Sequence, residues 1–207
     1  MIRVVVNIAA RLLVKLLARV RVLGSGRIPT SGPLIVVTNH INFFEAPLIY
    51  LLLIHLRPRA LTKEETWDQP LLKLLANLWG AIPVKRGGVN TRAFGRAYRF
   101  LASGGVLVVA PEGTRSRDGR LRKANAGVVV LAARSRVPIL PIAHWGGERV
   151  VPHLRKLRRP IVRVRFGEEL LVSESAAETR ESRTAEIDRI MCSLAAMLPP
   201  EYRGHYA

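Results

Sequence analysis

The chain has 207 residues, 49% of them hydrophobic, so it can bury one substantial core, and nothing in its composition signals disorder. Lys and Arg total 33 against 15 for Asp and Glu, a formal net charge of +18, which restricts partners to anionic ones: nucleic acid, anionic lipid headgroups or phosphorylated substrates. The single cysteine, Cys192, excludes an internal disulfide framework or a cysteine-built metal site and suits a reducing compartment.

The N-terminal segment, residues 1–24, is strongly apolar, yet Arg3, Arg11, Lys15, Arg19 and Arg21 interrupt it. A membrane span needs about 20 mostly uncharged apolar residues. A secretory signal fits poorly for the same reason, and no small-residue cleavage site follows. Arg3, Asn7, Arg11, Lys15 and Arg19 recur every fourth residue and form one polar stripe on a helix, with Val4, Val5, Ile8, Leu12, Leu13, Leu16 and Leu17 around it. The pattern predicts an amphipathic membrane-interface helix over 1–24, ahead of one domain over 25–207. A helix packed on the protein's own core fits the pattern equally well.

From Gly32 onward, apolar runs of strand length alternate with longer helical patterns, which predicts an α/β fold, a single domain with a largely parallel central sheet flanked by helices. In chain order the expected elements are a buried strand at Pro33–Thr38, helices at Ala46–His55 and Gln69–Trp79, a short strand at Ala81–Val84 and a helix at Thr91–Ala102. A strand at Val106–Ala110 follows, then a helix at Ala126–Ser135 and strands at Ile139–Ala143 and Ile161–Phe166. A last helix spans Ala176–Leu198, capped by Ser173 or Ser175. In open α/β sheets the ligand site lies beyond the carboxyl ends of the strands. Three polar clusters sit there: Asn39-His40, Lys85-Arg86, and Glu112-Gly113-Thr114-Arg115-Ser116.

His40 is followed five residues later by Glu45, and a carboxylate that orients a histidine prepares a general base for a hydroxyl. On one helix, positions five apart point about 140° away from each other, so the pair meets only if His40 lies in the turn and Glu45 opens the helix. Pro47 suits a first helical turn and favours that placement. Read alone, the pair is more simply a hydrogen-bonded turn histidine and a favourable charge at a helix N-terminus, since one His and one acidic residue make a weak motif. Pro111 to Ser116 gathers a carboxylate, a glycine, a hydroxyl and a guanidinium in one turn: Arg115 can grip phosphate bidentately, and Gly113 admits a close approach of the backbone. An ordinary loop is the plainer account. Lys85-Arg86 reads by itself as solvated charge, and Val137-Pro138-Ile-Leu-Pro141 as an edge strand lining a groove. His55, His144, His153 and His205 show no metal-ligand spacing and read as structural or surface residues.

In order and spacing, Asn39-His40-x4-Glu45, Gly80 to Arg86, Pro111 to Ser116 and Val137 to Pro141 resemble the four motifs of the glycerolipid acyltransferase family of the PlsC type, the 1-acylglycerol-3-phosphate acyltransferases. The resemblance covers about Arg27 to Leu171. It implies an O-acyltransferase of phospholipid biosynthesis working without an acyl-enzyme: His40 takes a proton from the acceptor hydroxyl, which attacks the thioester carbonyl of acyl-CoA or acyl carrier protein. Glu45 would hold and charge-balance His40. Arg86 and Arg115, with Lys85 beside them, would bind the acceptor phosphate. Asn39, Glu112, Gly113, Thr114 and Ser116 would belong to the acceptor site. No cofactor or metal is implied. The partners would be an anionic membrane surface, the lysophospholipid and the acyl thioester, at the cytoplasmic face of a membrane, peripheral or monotopic. Two positions depart from the family pattern. Glu45 stands where Asp is usual, and Lys123-Ala-Asn-Ala-Gly127 stands where Lys and Gly are commonly closer.

The rival readings use the charge differently. Arg155, Lys156, Arg158, Arg159, Arg163 and Arg165 suggest a nucleic-acid module, but no aromatic residue interleaves with them and no standard nucleic-acid motif is present, so no nucleic acid is expected. A scaffold with a degenerate site, or a hydrolase in which water attacks, completes the set.

Overall fold

The computed structural model describes residues 1–85, 90–116, 118–156 and 158–207. The chain opens with helix α1 (Ile2–Leu17) and strand β1 (Arg19–Leu23), followed by β2 (Leu34–Thr38), α2 (Glu45–Leu52), β3 (Arg59–Lys63), α3 (Pro70–Leu78) and β4 (Ile82–Val84). Then come α4 (Thr91–Ala102), β5 (Val106–Val109), α5 (Gly127–Ser135), β6 (Ile139–Trp145), the short α6 (Val150–Leu154), β7 (Ile161–Phe166) and α7 (Arg180–Ala196). The seven strands form one sheet in the order β1-β7-β6-β2-β5-β3-β4, parallel throughout except where β6 meets β7.

Strands β2 and β6 are buried along their whole length, as continuous apolar runs covered on both faces should be. Because side chains alternate, each strand feeds two cores. Ile35, Val37, Leu107, Val109 and Ile139 pack against α4, α5 and α7. Leu34, Val36, Val106, Leu140, Ile142, Val162 and Val164 pack on the other side with Val14 and Ala18 from the end of α1 and Phe44, Leu48 and Ile49 at α2.

The N-terminal segment divides where one helix over 1–24 was expected. The helix ends at Leu17, Ala18 is extended, and Arg19–Leu23 pairs in parallel with β7 along its full length. The stripe of every fourth residue had drawn in Arg19, yet Arg-Val-Arg-Val alternates with period two, and the β-branched Val20 and Val22 pack into the second core. The guanidinium of Arg159 closes the helix end, donating to the carbonyl oxygens of Lys15 and, at 3.1 Å, of Ala18. Nor is β6 an edge strand, for it lies between β2 and β7. Pro141 is tolerated there because on the β7 side it serves only as an acceptor, its carbonyl oxygen taking the Gly167 amide at 2.9 Å, between the bridge of Ile139 with Leu170 and the ladder from Ile142 onward. Strand β3 and helix α6 have too little periodic apolar content to stand out in sequence.

Helix α1 is turned with part of its polar stripe inward. Arg3 donates to the Tyr50 hydroxyl at 2.7 Å, and the Trp79 indole donates to Asn7 at 3.1 Å, with the Tyr50 and Trp79 rings stacked at 4.3 Å. Its apolar side chains Ile2, Val4, Val5, Ile8, Leu12, Leu13 and Leu16 stand 53% to 67% exposed, so this face covers no core of the chain itself. Among the described residues no helix is long and apolar enough to cross a membrane.

The last helix begins later than expected. Ser173 precedes a single 3₁₀ turn, Glu174–Ala177, and α7 starts at Arg180 behind Thr179. The Thr179 hydroxyl accepts from the Ser182 amide at 3.0 Å while the Thr179 amide donates to the Ser182 hydroxyl at 3.1 Å, a reciprocal capping box. Thr179→Ala should therefore cost about 1 kcal/mol of folding free energy. Urea unfolding reads this directly; an unchanged midpoint would mean the cap contributes nothing.

Candidate active site

The site forms at the carboxyl ends of β2 and β5, neighbours in the sheet, where the chain reverses its direction of travel across the strands. From β2 the chain runs outward through β3 and β4, and after β5 it crosses to β6 on the opposite flank of β2. The crevice at such a reversal is open because successive connections leave it in opposite directions.

Past β2, His40 lies in the turn and Glu45 is the first residue of α2. This is the one arrangement in which the two can meet, and they do: His40 Nδ1 is bonded to Glu45 Oε1. The other Glu45 oxygen accepts from the Asn42 amide at 2.7 Å, and the Asn42 side chain accepts from the Phe44 amide at 2.8 Å. The turn is thus wound around its own carboxylate, with Ile41 and Phe44 buried as anchors. Because the carboxylate can only accept, Nδ1 carries the proton and Nε2 presents its lone pair. The His40 side chain is 30% exposed and Glu45 only 6%, so of the pair only the imidazole is open to solvent.

The Glu112 segment braces this turn from the end of β5. One Glu112 oxygen accepts from the His40 amide at 2.7 Å and the other from the Arg122 amide at 2.9 Å. The Ser116 amide donates to the His40 carbonyl oxygen at 2.7 Å, and the Ser116 hydroxyl donates to Asp118 at 2.7 Å. Gly113 has φ +66°, the left-handed region that suits glycine, and so turns the chain directly beside Glu112. Asn39 is buried, with its side-chain amide donating to the His144 carbonyl oxygen at 2.8 Å and accepting from the His144 amide at 2.9 Å.

These contacts redistribute the residues assigned to substrate. Asn39, Glu112 and Ser116 are buried, and their side-chain polar atoms are occupied within the protein, so they hold the site together, Glu112 from a place on the wall of the cleft between α4 and α5. Arg115, Lys85 and Gly113 are exposed and Thr114 is half-buried. Lys85, Gly113 and Thr114 line a cleft of about 2000 Å³ that runs between α4 and α5, with Lys63 beside them and Leu61, Val84, Phe94, Val128 and Leu131 along its apolar wall. Arg86 lies outside the described residues. His144 enters the site although its sequence context marks it only as structural or surface, because no spacing to Asn39, 105 residues away, could announce the contact. The same holds for the C-terminal residues. The Leu121 amide donates to the Tyr202 carbonyl oxygen at 2.9 Å and the Ala124 amide to the Tyr206 hydroxyl at 3.0 Å, pinning the loop that carries Arg122.

The Acyltransferase family model matches residues 19–145, most of the chain, and the chain belongs to that family. It is 29% identical over 133 residues to a chloroplastic 1-acyl-sn-glycerol-3-phosphate acyltransferase of Brassica napus, covering 62% of this chain and 38% of the relative. A protein of the same description from Borreliella burgdorferi is 28% identical over 126 residues, covering 60% of this chain and 50% of that one. The chain thus spans half or less of these two relatives. The crystal structure of the 1-acyl-sn-glycerophosphate acyltransferase PlsC from Thermotoga maritima superposes with a TM-score of 0.69 over 94% of this chain and 79% of the other, at 24% identity, and shows a shared fold.

Burial raises Glu112 from 4.5 to about 7, against the lowering effect of the Arg122 and His40 amide bonds. Between those two values the folded protein holds a proton that the unfolded chain has released. The group's contribution therefore favours folding at low pH and is lost as pH climbs to about 7. Relative to Glu112→Gln, the unfolding free energy of the unsubstituted protein should fall across this window and level off on either side. Urea unfolding at stepped pH tests it, and a difference rising with pH would contradict the assignment.

Proposed function

We propose that the chain is an O-acyltransferase that moves a fatty acyl group from a thioester, acyl-CoA or acyl carrier protein, to the free hydroxyl of a lysophospholipid, 1-acylglycerol-3-phosphate foremost, giving phosphatidic acid. The observation that carries this reading is the His40–Glu45 pair with its partly exposed ring, beside the exposed cation Arg115, whose neighbour Ser116 holds the His40 carbonyl oxygen, and with Lys85 on the cleft that Glu112 lines. Family membership and the relatives' descriptions support it.

In the proposed reaction Nε2 of His40 removes the hydroxyl proton as the acceptor oxygen attacks the thioester carbonyl carbon. The imidazolium that forms is balanced by Glu45 across the Nδ1 bond. When the tetrahedral adduct collapses, the C–S bond breaks and the proton passes from His40 to the thiolate. Lys85 and Arg115 would hold the acceptor phosphate, Arg115 bidentately. The apolar wall of the cleft offers room for an acyl chain.

A lipid acceptor must be met at a bilayer, and the outward face of α1 suits one. Seven exposed apolar side chains on one side of a helix with basic flanks would sink among acyl chains while Arg11 and Lys15 meet anionic headgroups. The proposed location is accordingly peripheral, on an anionic membrane surface.

Incubated in anionic liposomes with acyl-CoA and lysophosphatidic acid, the protein should release thiol and diacyl product in equal amounts. His40→Ala should lower both about 100- to 10,000-fold. Full activity in the variant would remove His40 from the chemistry, and thiol release without product would indicate hydrolysis. Independently, Leu13→Asp with Leu16→Asp should abolish co-flotation with anionic vesicles and leave thermal unfolding unchanged. Retained flotation would remove α1 from the membrane contact.

A further inference from the structure

The peptide unit joining Asn39 to His40 is gripped at both poles. Its N–H, from His40, is held by Glu112 at 2.7 Å, and its carbonyl oxygen, from Asn39, lies 2.6 Å from Nε2 of His144. The two grips come from different neighbours of β2: Glu112 follows β5 on one side, and His144 stands near the end of β6 on the other. A peptide plane fixed at both ends sets the direction in which the next side chain leaves the backbone, and here that side chain is His40.

His144 is 1% exposed and makes its three hydrogen bonds in this network to one residue. Its backbone amide and carbonyl oxygen take the two ends of the Asn39 side chain, in effect extending the pairing of β2 with β6 by a rung beyond Thr38 and Ile142. The ring adds the contact that the backbone cannot make. A carbonyl oxygen only accepts, so Nε2 of His144 carries a proton and donates it. Burial pushes the His144 pKa down, which favours the neutral ring and fixes the tautomer by that single bond.

We infer that His144 is a positioning residue for His40, acting through the Asn39–His40 peptide and never touching substrate. This rests on the reading of His40 as the base. The ring's N–H and the Glu112 carboxylate work as opposed clamps, and removing one lets the peptide rotate about the other. A rotation that displaces the His40 ring by about 1 Å is enough to cost up to about 100-fold in rate, with substrate affinity untouched because no substrate contact is lost.

The test compares two polar substitutions of similar burial. Gln at this position carries its amide N–H to about the reach of Nε2, whereas Asn falls short. His144→Gln should keep most of the turnover, and His144→Asn should lower kcat about 10- to 100-fold with KM for both substrates unchanged. Both are normalised to folded protein by near-ultraviolet circular dichroism, which separates positioning from loss of fold. In a His40→Ala background, His144→Asn should add no further loss per folded molecule. Equal kcat for His144→Gln and His144→Asn, a parallel rise in KM, or a further loss in the His40→Ala background would each overturn the inference. Full activity of His40→Ala itself would instead overturn the reading of the base.

Discussion

The carboxylate of Glu112 is buried between two strand ends and gives both of its oxygens to backbone amides, those of His40 and Arg122. A buried carboxylate so placed is costly unless every acceptor position is used, and here the cost is offset by joining three segments that sequence keeps far apart. The turn after β2, the turn after β5 and the loop before α5 become one body through it. The His40–Glu45 pair would otherwise be only a short-range contact within one turn, since just four residues of chain lie between its members. With Glu112 and Ser116 holding the two sides of the His40 backbone, the pair is set relative to the sheet.

The parallel sheet explains why such bracing is available. Parallel strands place their carboxyl ends at one edge, so residues following β2 and β5 arrive side by side whatever their distance in sequence. The antiparallel β7 and the edge strand β1 take no part in the crevice and instead widen the surface on which α1 packs through Val14 and Ala18. One scaffold thereby carries two separate features: the braced edge that holds His40, and an outer helix whose apolar face stands exposed.

How much of this can be read from sequence depends on the range of the interaction concerned. Helix α4 and strand β7 have the limits that periodicity and flanking glycines and prolines suggest, because both signals are local. The His40–Glu45 contact was legible as one of two readings: the spacing allows the pair to meet in a single arrangement, and Pro47, just after Glu45, favours it. Strand β1 was not, because a four-residue charge repeat and a two-residue alternation overlap at Arg19 and the longer pattern hides the shorter. The tasks of Asn39, Glu112 and Ser116 were hidden for a different reason. A motif shows which polar residues gather, but whether a carboxylate faces a ligand or a backbone amide is settled by burial, and burial is a property of the whole packed fold.

The contacts of Tyr202 and Tyr206 with the loop at Leu121 to Ala124 bear on how the site comes into being. The Ala124–Tyr206 bond spans 82 residues, and Leu121 also accepts from the amide of His205. A ribosome adds residues from the N-terminus onward, so β2, β5 and the Glu112 turn have all emerged well before the tail that steadies Arg122 is made. Closing contacts of such long separation is slow compared with forming a helix. The nascent chain can thus hold the sheet and the Glu112 turn before the turns at Tyr202 and Tyr206 exist to pin the loop that carries Arg122.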